Sequence, residues 1–264
     1  MRALTARSAV RPHLMKYTRS GEYTLPGRMH RLAGNVALRL TPWVPSRVSD
    51  PFLRRRSYYQ VFGGREVVDH QGLSARKWEA MQMPSDLKGK SVIDIGCSEG
   101  FFCQECAKRG AAPVLGVDSS VGRLLCASFL ASKEGLNIRY RMSVFPDLGL
   151  RGAFDYVLCL SVLHHSLSQK NLWKVLVMEE SANELAILRQ QLRFLRSLTA
   201  DNGKCIAEIP YEYDDPVERE VVDFEILNSE LKAAGFTRSR CLGMWDYNRE
   251  HRVRKDRILY VAEA

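Results

Sequence analysis

Asp94, Gly96, Gly100 and Asp118 are the residues of this chain whose types and spacing best suit the holding of a nucleoside. Gly96 and Gly100 bracket a short turn where a ligand can come close to the backbone, and Asp118 follows Gly100 by 18 residues. A carboxylate at about that distance, at the end of a second strand, can accept hydrogen bonds from both hydroxyls of a ribose. A dinucleotide fingerprint needs glycine at its first, third and sixth positions, the last for close packing of helix on strand. Here those positions are Gly96, Ser98 and Phe101. The turn therefore admits a ligand but shows no cradle for a pyrophosphate.

These residues need a strand, a turn, a helix and a second strand to position them. Residues 91–95 form an apolar, β-branched run that reads as a buried strand, and residues 101–109 carry helical spacing. Residues 114–117 form a second apolar run that delivers Asp118 at its carboxyl end, where an open parallel sheet binds its ligands.

The Asp94-to-Gly100 pattern resembles motif I of the class I S-adenosylmethionine-dependent methyltransferases, with Ser98 in place of the usual middle glycine. Residues 154–165 resemble that family's fourth strand and the loop after it. Residues 202–208 resemble the turn and fifth strand, and Gly235-Phe236 with residues 257–262 resembles the closing antiparallel pair. The resemblance implies an α/β fold, a Rossmann-like seven-stranded sheet with helices on both faces and an antiparallel last strand. The resemblance covers roughly residues 86–264, and the cofactor-binding domain is expected at residues 57–264, behind a basic extension at 1–56.

The cofactor implied is S-adenosylmethionine, with S-adenosylhomocysteine as product. By resemblance, Gly96 and Gly100 lie against its methionine end, with Asp94 organising the ammonium through water or backbone. Asp118 would bind the ribose, Met142 and Ser143 would flank the adenine, and Cys97, Ser98, Ser119 and Leu160 join the cofactor-binding set. Position 142–143 lacks the Asp often found there. His164 and His165 follow the fourth strand, where the acceptor enters. An imidazole there suits a base that takes a hydroxyl proton; it equally suits a loop cap or packing against the cofactor. Tyr211 and Tyr213 follow the fifth strand, Tyr247 lies in the last hairpin loop, and Tyr58 and Tyr59 form an aromatic lead-in. These five tyrosines are the candidate acceptor wall.

The lead-in and the Lys77-Trp78 pair resemble the tRNA wobble-uridine carboxymethyltransferase branch and its small-molecule relatives. Trp78 and Met81 read as the core face of a first helix. Arg76 and Lys77 could address an anionic group, but a solvated pair is the expectation. Fourth-strand context argues against two chemistries: no Asn/Asp-Pro-Pro-aromatic tetrad follows it, which disfavours exocyclic amines, and Cys159 has no preceding Pro, which disfavours attack on cytosine C5.

At 264 residues with a globular composition, the chain can hold one large domain with an extension. No run approaches the roughly 18 apolar residues that cross a membrane. Seven scattered cysteines and no secretory apolar segment suggest a reducing, cytoplasmic setting with free thiols. Cys103-x-x-Cys106 lies inside the expected helix without a second such pair, so it reads as a helix face and no metal is expected. Residues 1–60 hold 12 of the 39 basic residues and two of the 30 acids, leaving 27 against 28 in the remainder. Three readings compete for that basic start: a phosphate-binding arm for tRNA or an anionic membrane, an organelle presequence, and a solvated extension that packs through Leu32, Val36, Leu38, Leu40 and Trp43. Leu185, Leu188, Leu192 and Leu195 predict an amphipathic helix within a long segment, 169–198, whose excess reads as a lid, a dimer element or a surface elaboration.

The function expected is methyl transfer to a heteroatom, oxygen foremost, of a small polar or biosynthetic-intermediate molecule. A tRNA-modifying methyl- or carboxymethyltransferase is the alternative enzyme. A non-catalytic S-adenosylmethionine-binding regulator is the alternative of another class.

Overall fold

A computed structural model describes residues 73–146, 148–150, 152–160, 162–163, 182–213, 224–246 and 254–264. The boundary expected at residue 56, Tyr58, Tyr59, His164, His165 and Tyr247 lie outside the described residues. So does the part of segment 169–198 that precedes Ala182.

The described chain runs α1 (Leu73–Met81), β1 (Val92–Ile95), α2 (Phe101–Lys108), β2 (Val114–Asp118), α3 (Val121–Lys133), β3 (Arg139–Met142) and β4 (Phe154–Cys159). It continues through α4 (Ala182–Leu198), β5 (Thr199–Tyr213), α5 (Phe224–Ala233), β6 (Arg238–Asp246) and β7 (Arg254–Glu263). The strands form one seven-stranded sheet in the order β3-β2-β1-β4-β5-β7-β6. Strands 1 to 5 are parallel, and β7 runs antiparallel between β5 and β6. This is the seven-stranded, antiparallel-tailed sheet that the resemblance implied.

Alternation along the strands supplies a core on each face. Val92, Leu158, Ile206 and Val261 pack with Met81 of α1, Phe102 and Cys103 of α2 and Leu124 of α3. Ile93, Ile95, Val157, Cys159, Cys205 and Ala207 pack with Leu188, Leu192 and Leu195 of α4 and Leu227 and Leu231 of α5. Burial on both faces is why the parallel strands read as continuous apolar runs rather than alternating ones. From Leu188 through Leu192 to Leu195, the expected leucine stripe of α4 is thus its core face. Its flanking arginines tie the helix down: Arg189 donates twice to Glu230 of α5 at 2.7 and 2.8 Å, and Arg196 donates to the Gly235 carbonyl at 2.9 Å.

One local expectation changes. Asn202-Gly203 is not a turn that precedes β5 but a bulge inside it, because the register with β4 jumps from Phe154–Thr199 to Tyr156–Lys204. Asn202 takes φ +63°, and a Cβ on Gly203 would lie 2.8 Å from the Ala200 carbonyl and 3.0 Å from that of Phe154. The extra residues loop out and the strand resumes on the same sheet.

Candidate cofactor and acceptor site

The sheet's order reverses at β1, which lies between β2 and β4, and a doubly wound sheet opens its binding crevice at the carboxyl ends of the strands beside such a reversal. Ile95 pairs with Val117 on one side and Cys159 on the other, so Gly96, Asp118 and Leu160 all emerge at one level. Asp94, Gly96, Cys97, Ser98, Gly100, Asp118, Ser119, Met142, Ser143 and Leu160 gather along this edge.

The loop from Gly96 to Gly100 is held in a left-handed conformation at three points. Gly96 has φ +76°, Ser98 +52° and Gly100 +84°. A Cβ on Gly96 would collide with Val162, and one on Gly100 would sit 2.6 Å from Tyr140 Oη and 3.1 Å from Ala127 Cβ. Both glycines are therefore demanded by the chain itself. Ser98 adopts the conformation that glycine adopts most easily, and it is fixed by neighbours: its N–H donates to Asp118 Oδ2 at 2.9 Å and its hydroxyl to Glu99 Oε2 at 2.6 Å.

Asp118 organises the crevice. Besides Ser98 N–H, its carboxylate accepts the Ser120 N–H at 2.8 Å on Oδ1, and its carbonyl accepts the Ser143 N–H at 3.0 Å. One residue thus joins the ends of β1, β2 and β3. Ser120 in turn caps α3, its hydroxyl accepting the Arg123 N–H at 3.4 Å. Each carboxylate oxygen has two lone pairs, so those occupied leave others to receive hydroxyls. Ser119 is exposed at the mouth, while Met142, Ser143, Leu160 and Cys97 are buried. An acid at the end of β2, a left-handed backbone loop and an apolar Met142 fit an S-adenosyl group.

Asp94 behaves differently from Asp118. It is 1% exposed, faces α2 and accepts the Cys103 thiol at 3.5 Å. Burial raises its carboxyl to about 7, the thiol hydrogen bond opposing and the Asp118 charge adding to the rise. Any effect of Asp94 on a ligand passes through the loop above it. Burial also pushes the Cys97 thiol up to about 11 and Cys103 and Cys106 well above the usual thiol range, so all three are poor nucleophiles. Cys103 and Cys106 lie in α2 against the sheet, on the helix face that the sequence suggests.

Further along the sheet, β5 pairs with β4 only as far as Ala207 and continues with β7 to Tyr213. Tyr211 and Tyr213 lie in this overhang, opposite Asp256 and Arg254. Arg76 is exposed, as expected, but Lys77 is not: it is buried and donates to Glu208 Oε2 at 2.7 Å. The expectation of a solvated pair is corrected by this partner, which lies 131 residues away. An acid within the apolar run Cys205-Ile206-Ala207 was the available signal. Tyr140, whose ring fills the space beside Gly100, had none. A groove lined by Lys232, Arg238 and Arg240 lies at the opposite, amino edge of the parallel strands, where Arg238 and Lys204 both pair with Glu263. No helix among the described residues is long and apolar enough to cross a membrane.

A family model described as a methyltransferase domain matches residues 92–192. The ubiquinone biosynthesis O-methyltransferase of Nitrobacter winogradskyi is 37% identical over 79 residues, 30% of this chain and 30% of that protein. The tRNA U34 carboxymethyltransferase of Desulfotalea psychrophila is 33% identical over 115 residues, 42% of this chain and 35% of that protein. The matched stretch thus spans about a third of these relatives. Magnesium protoporphyrin IX methyltransferase from Synechocystis PCC 6803, solved with bound S-adenosylhomocysteine, shares the fold at a TM-score of 0.51 and 19% identity, over 90% of this chain and 99% of that one. Sheet order, loop geometry and family match converge: this chain carries a class I S-adenosylmethionine-dependent methyltransferase domain.

Proposed function

We propose that the chain transfers a methyl group from S-adenosylmethionine to an oxygen of a small polar or biosynthetic-intermediate acceptor, in a cytoplasmic setting. The observation that carries this reading is the 37% identity to a protein named as an O-methyltransferase, in a chain that lacks the tetrad suited to exocyclic amines. The cofactor supplies a methyl group already activated by its sulfonium, so the protein's work is to bind, orient and exclude water. In this reading the 96–100 loop, with Asp94 beneath it, receives the methionine end, and Asp118 and Ser119 take the ribose hydroxyls. Met142 and Ser143 flank the adenine, while Cys97 and Leu160 close the floor. His164 or His165 takes the proton from the acceptor hydroxyl. Tyr58, Tyr59, Tyr211, Tyr213 and Tyr247 form the acceptor wall, and residues 1–56 are a basic extension to a domain at 57–264.

A labelled-methyl assay against fractionated metabolites and RNA tests this reading: label is expected in a metabolite fraction, and label confined to RNA would overturn it. The second reading, tRNA modification, is favoured by the 33% identity to a tRNA carboxymethyltransferase and by the basic start of the chain. It requires turnover on tRNA that falls steeply with salt, with a slope flattened by deletion of residues 1–56. Cofactor binding without transfer to any fraction would favour the regulator.

A further inference from the structure

We propose that the Lys77–Glu208 ion pair is a positioning latch, which docks α1 in one register across the sheet so that α1, through α2, holds the glycine loop ready for the cofactor. This rests on the reading of that loop as the S-adenosylmethionine site.

The pair is buried at both ends, Lys77 6% and Glu208 0% exposed. Such a pair is poor evidence of stability, because removing two charges from water offsets most of their attraction; its use lies in fixing a position. Its place in the fold says which position. Glu208 follows Ala207, the partner of β4's last residue Cys159, so it stands at the carboxyl edge. It shares the strand face of Ile206, which packs with Met81 and Phe102.

The helix it captures is described over nine residues, Leu73–Met81. Isolated helices shorter than about 12–15 residues are marginal in water, so α1 depends on its docking. Its buried stripe is Ser74, Lys77 and Met81, at three-four spacing, with the charge at the centre. An apolar residue there could settle at several rotations. A buried ammonium has to meet its carboxylate.

Docked in this way, α1 grips both ends of α2. The Trp78 ring centroid lies 6.5 Å from that of Phe102, two residues after Gly100, and the Arg109 guanidinium lies 4.4 Å over Trp78 just beyond the other end. The latch therefore connects β5, on the acceptor side, to the helix that begins at the cofactor loop.

The test uses the full chain and the double variant Lys77→Met/Glu208→Gln. Either single change strands a buried charge and lowers stability, whereas the double removes both charges and should melt within a few degrees of the parent. Amide exchange in residues 73–81 should rise at least tenfold while residues 182–198 keep their protection. Affinity for S-adenosylmethionine should fall roughly tenfold, as expected if α1 is docked about a tenth of the time. Lys77→Arg in the parent, which keeps both charges, should leave exchange and affinity at parental values. Parent-like protection of α1, or parent-like affinity despite a loosened α1, would overturn the proposal. So would a double variant that fails to fold, because the pair would then serve the fold as a whole. If the parent itself binds no S-adenosylmethionine, the cofactor reading fails, and with it the role in cofactor binding; the exchange measurement still decides whether the pair docks α1.

Discussion

The two halves of the carboxyl edge are built across very different distances in the chain. At the ends of β1 and β2, the polar bonds of the crevice are local: Ser98 to Asp118 spans 20 residues, Ser120 to Asp118 two, and Ser98 to Glu99 one. At the end of β5, the ion pair with Lys77 spans 131 residues, and the strand beyond Ala207 pairs with β7 instead of with its parallel neighbour. A half assembled from one contiguous motif can keep a single ligand chemistry while the rest of the chain varies. A half assembled from distant segments changes whenever any of them does. The first half is thus specified within one stretch of sequence, and the second only by the tertiary fold.

Breaking the local half should have the largest effect. In Gly100→Ala, a residue at φ +84° gains a methyl group 2.6 Å from Tyr140 Oη. A left-handed alanine costs about 1–2 kcal/mol and overpacking about 1–3 kcal/mol. The expected loss in urea denaturation is thus roughly 2–5 kcal/mol; a variant as stable as the parent would show that the loop is not held as described.

Asp94→Asn probes the same half through pH. In the fold Asp94 keeps its proton up to about 7, against a usual value of 3.8. Between those values the unfolded chain has lost a proton that the folded chain retains, so stability falls as pH rises from about 4 to 7. The asparagine variant should lack that slope, which is on the order of 2–4 kcal/mol in total. Urea midpoints at pH 5 and pH 8 measure it, and an undiminished slope would place Asp94 elsewhere.

Ser98→Gly should matter least. Glycine relaxes the left-handed backbone and keeps the N–H that Asp118 accepts, at the loss of the hydroxyl bond to Glu99. Stability should move by less than about 1 kcal/mol and cofactor affinity by less than about twofold. A large loss of affinity would give the hydroxyl itself a role.

The same contrast explains what the sequence discloses. The expected helix 101–109 is observed as Phe101–Lys108 and the expected strand 91–95 as Val92–Ile95, because short-range patterning and one tight turn specify both. Asp118 emerges where its spacing from the glycines puts it. Lys77 reads as solvated because nothing beside it in the chain announces Glu208. Asp94 and Asp118 look alike as letters, yet one faces α2 and a thiol while the other organises three strand ends; only packing separates them. The Asn202-Gly203 pair reads as a turn before the strand, and only the pairing with β4 shows that it is a bulge inside it.

Calorimetric titration of the parent and Asp118→Ala with S-adenosylmethionine tests whether Asp118 and the glycine loop form a site for that cofactor. The parent should bind saturably at one site. The variant, having lost the acceptor for two backbone amides and the ribose, should bind roughly 100-fold more weakly. No binding by the parent, or equal affinity in the variant, would contradict the assignment.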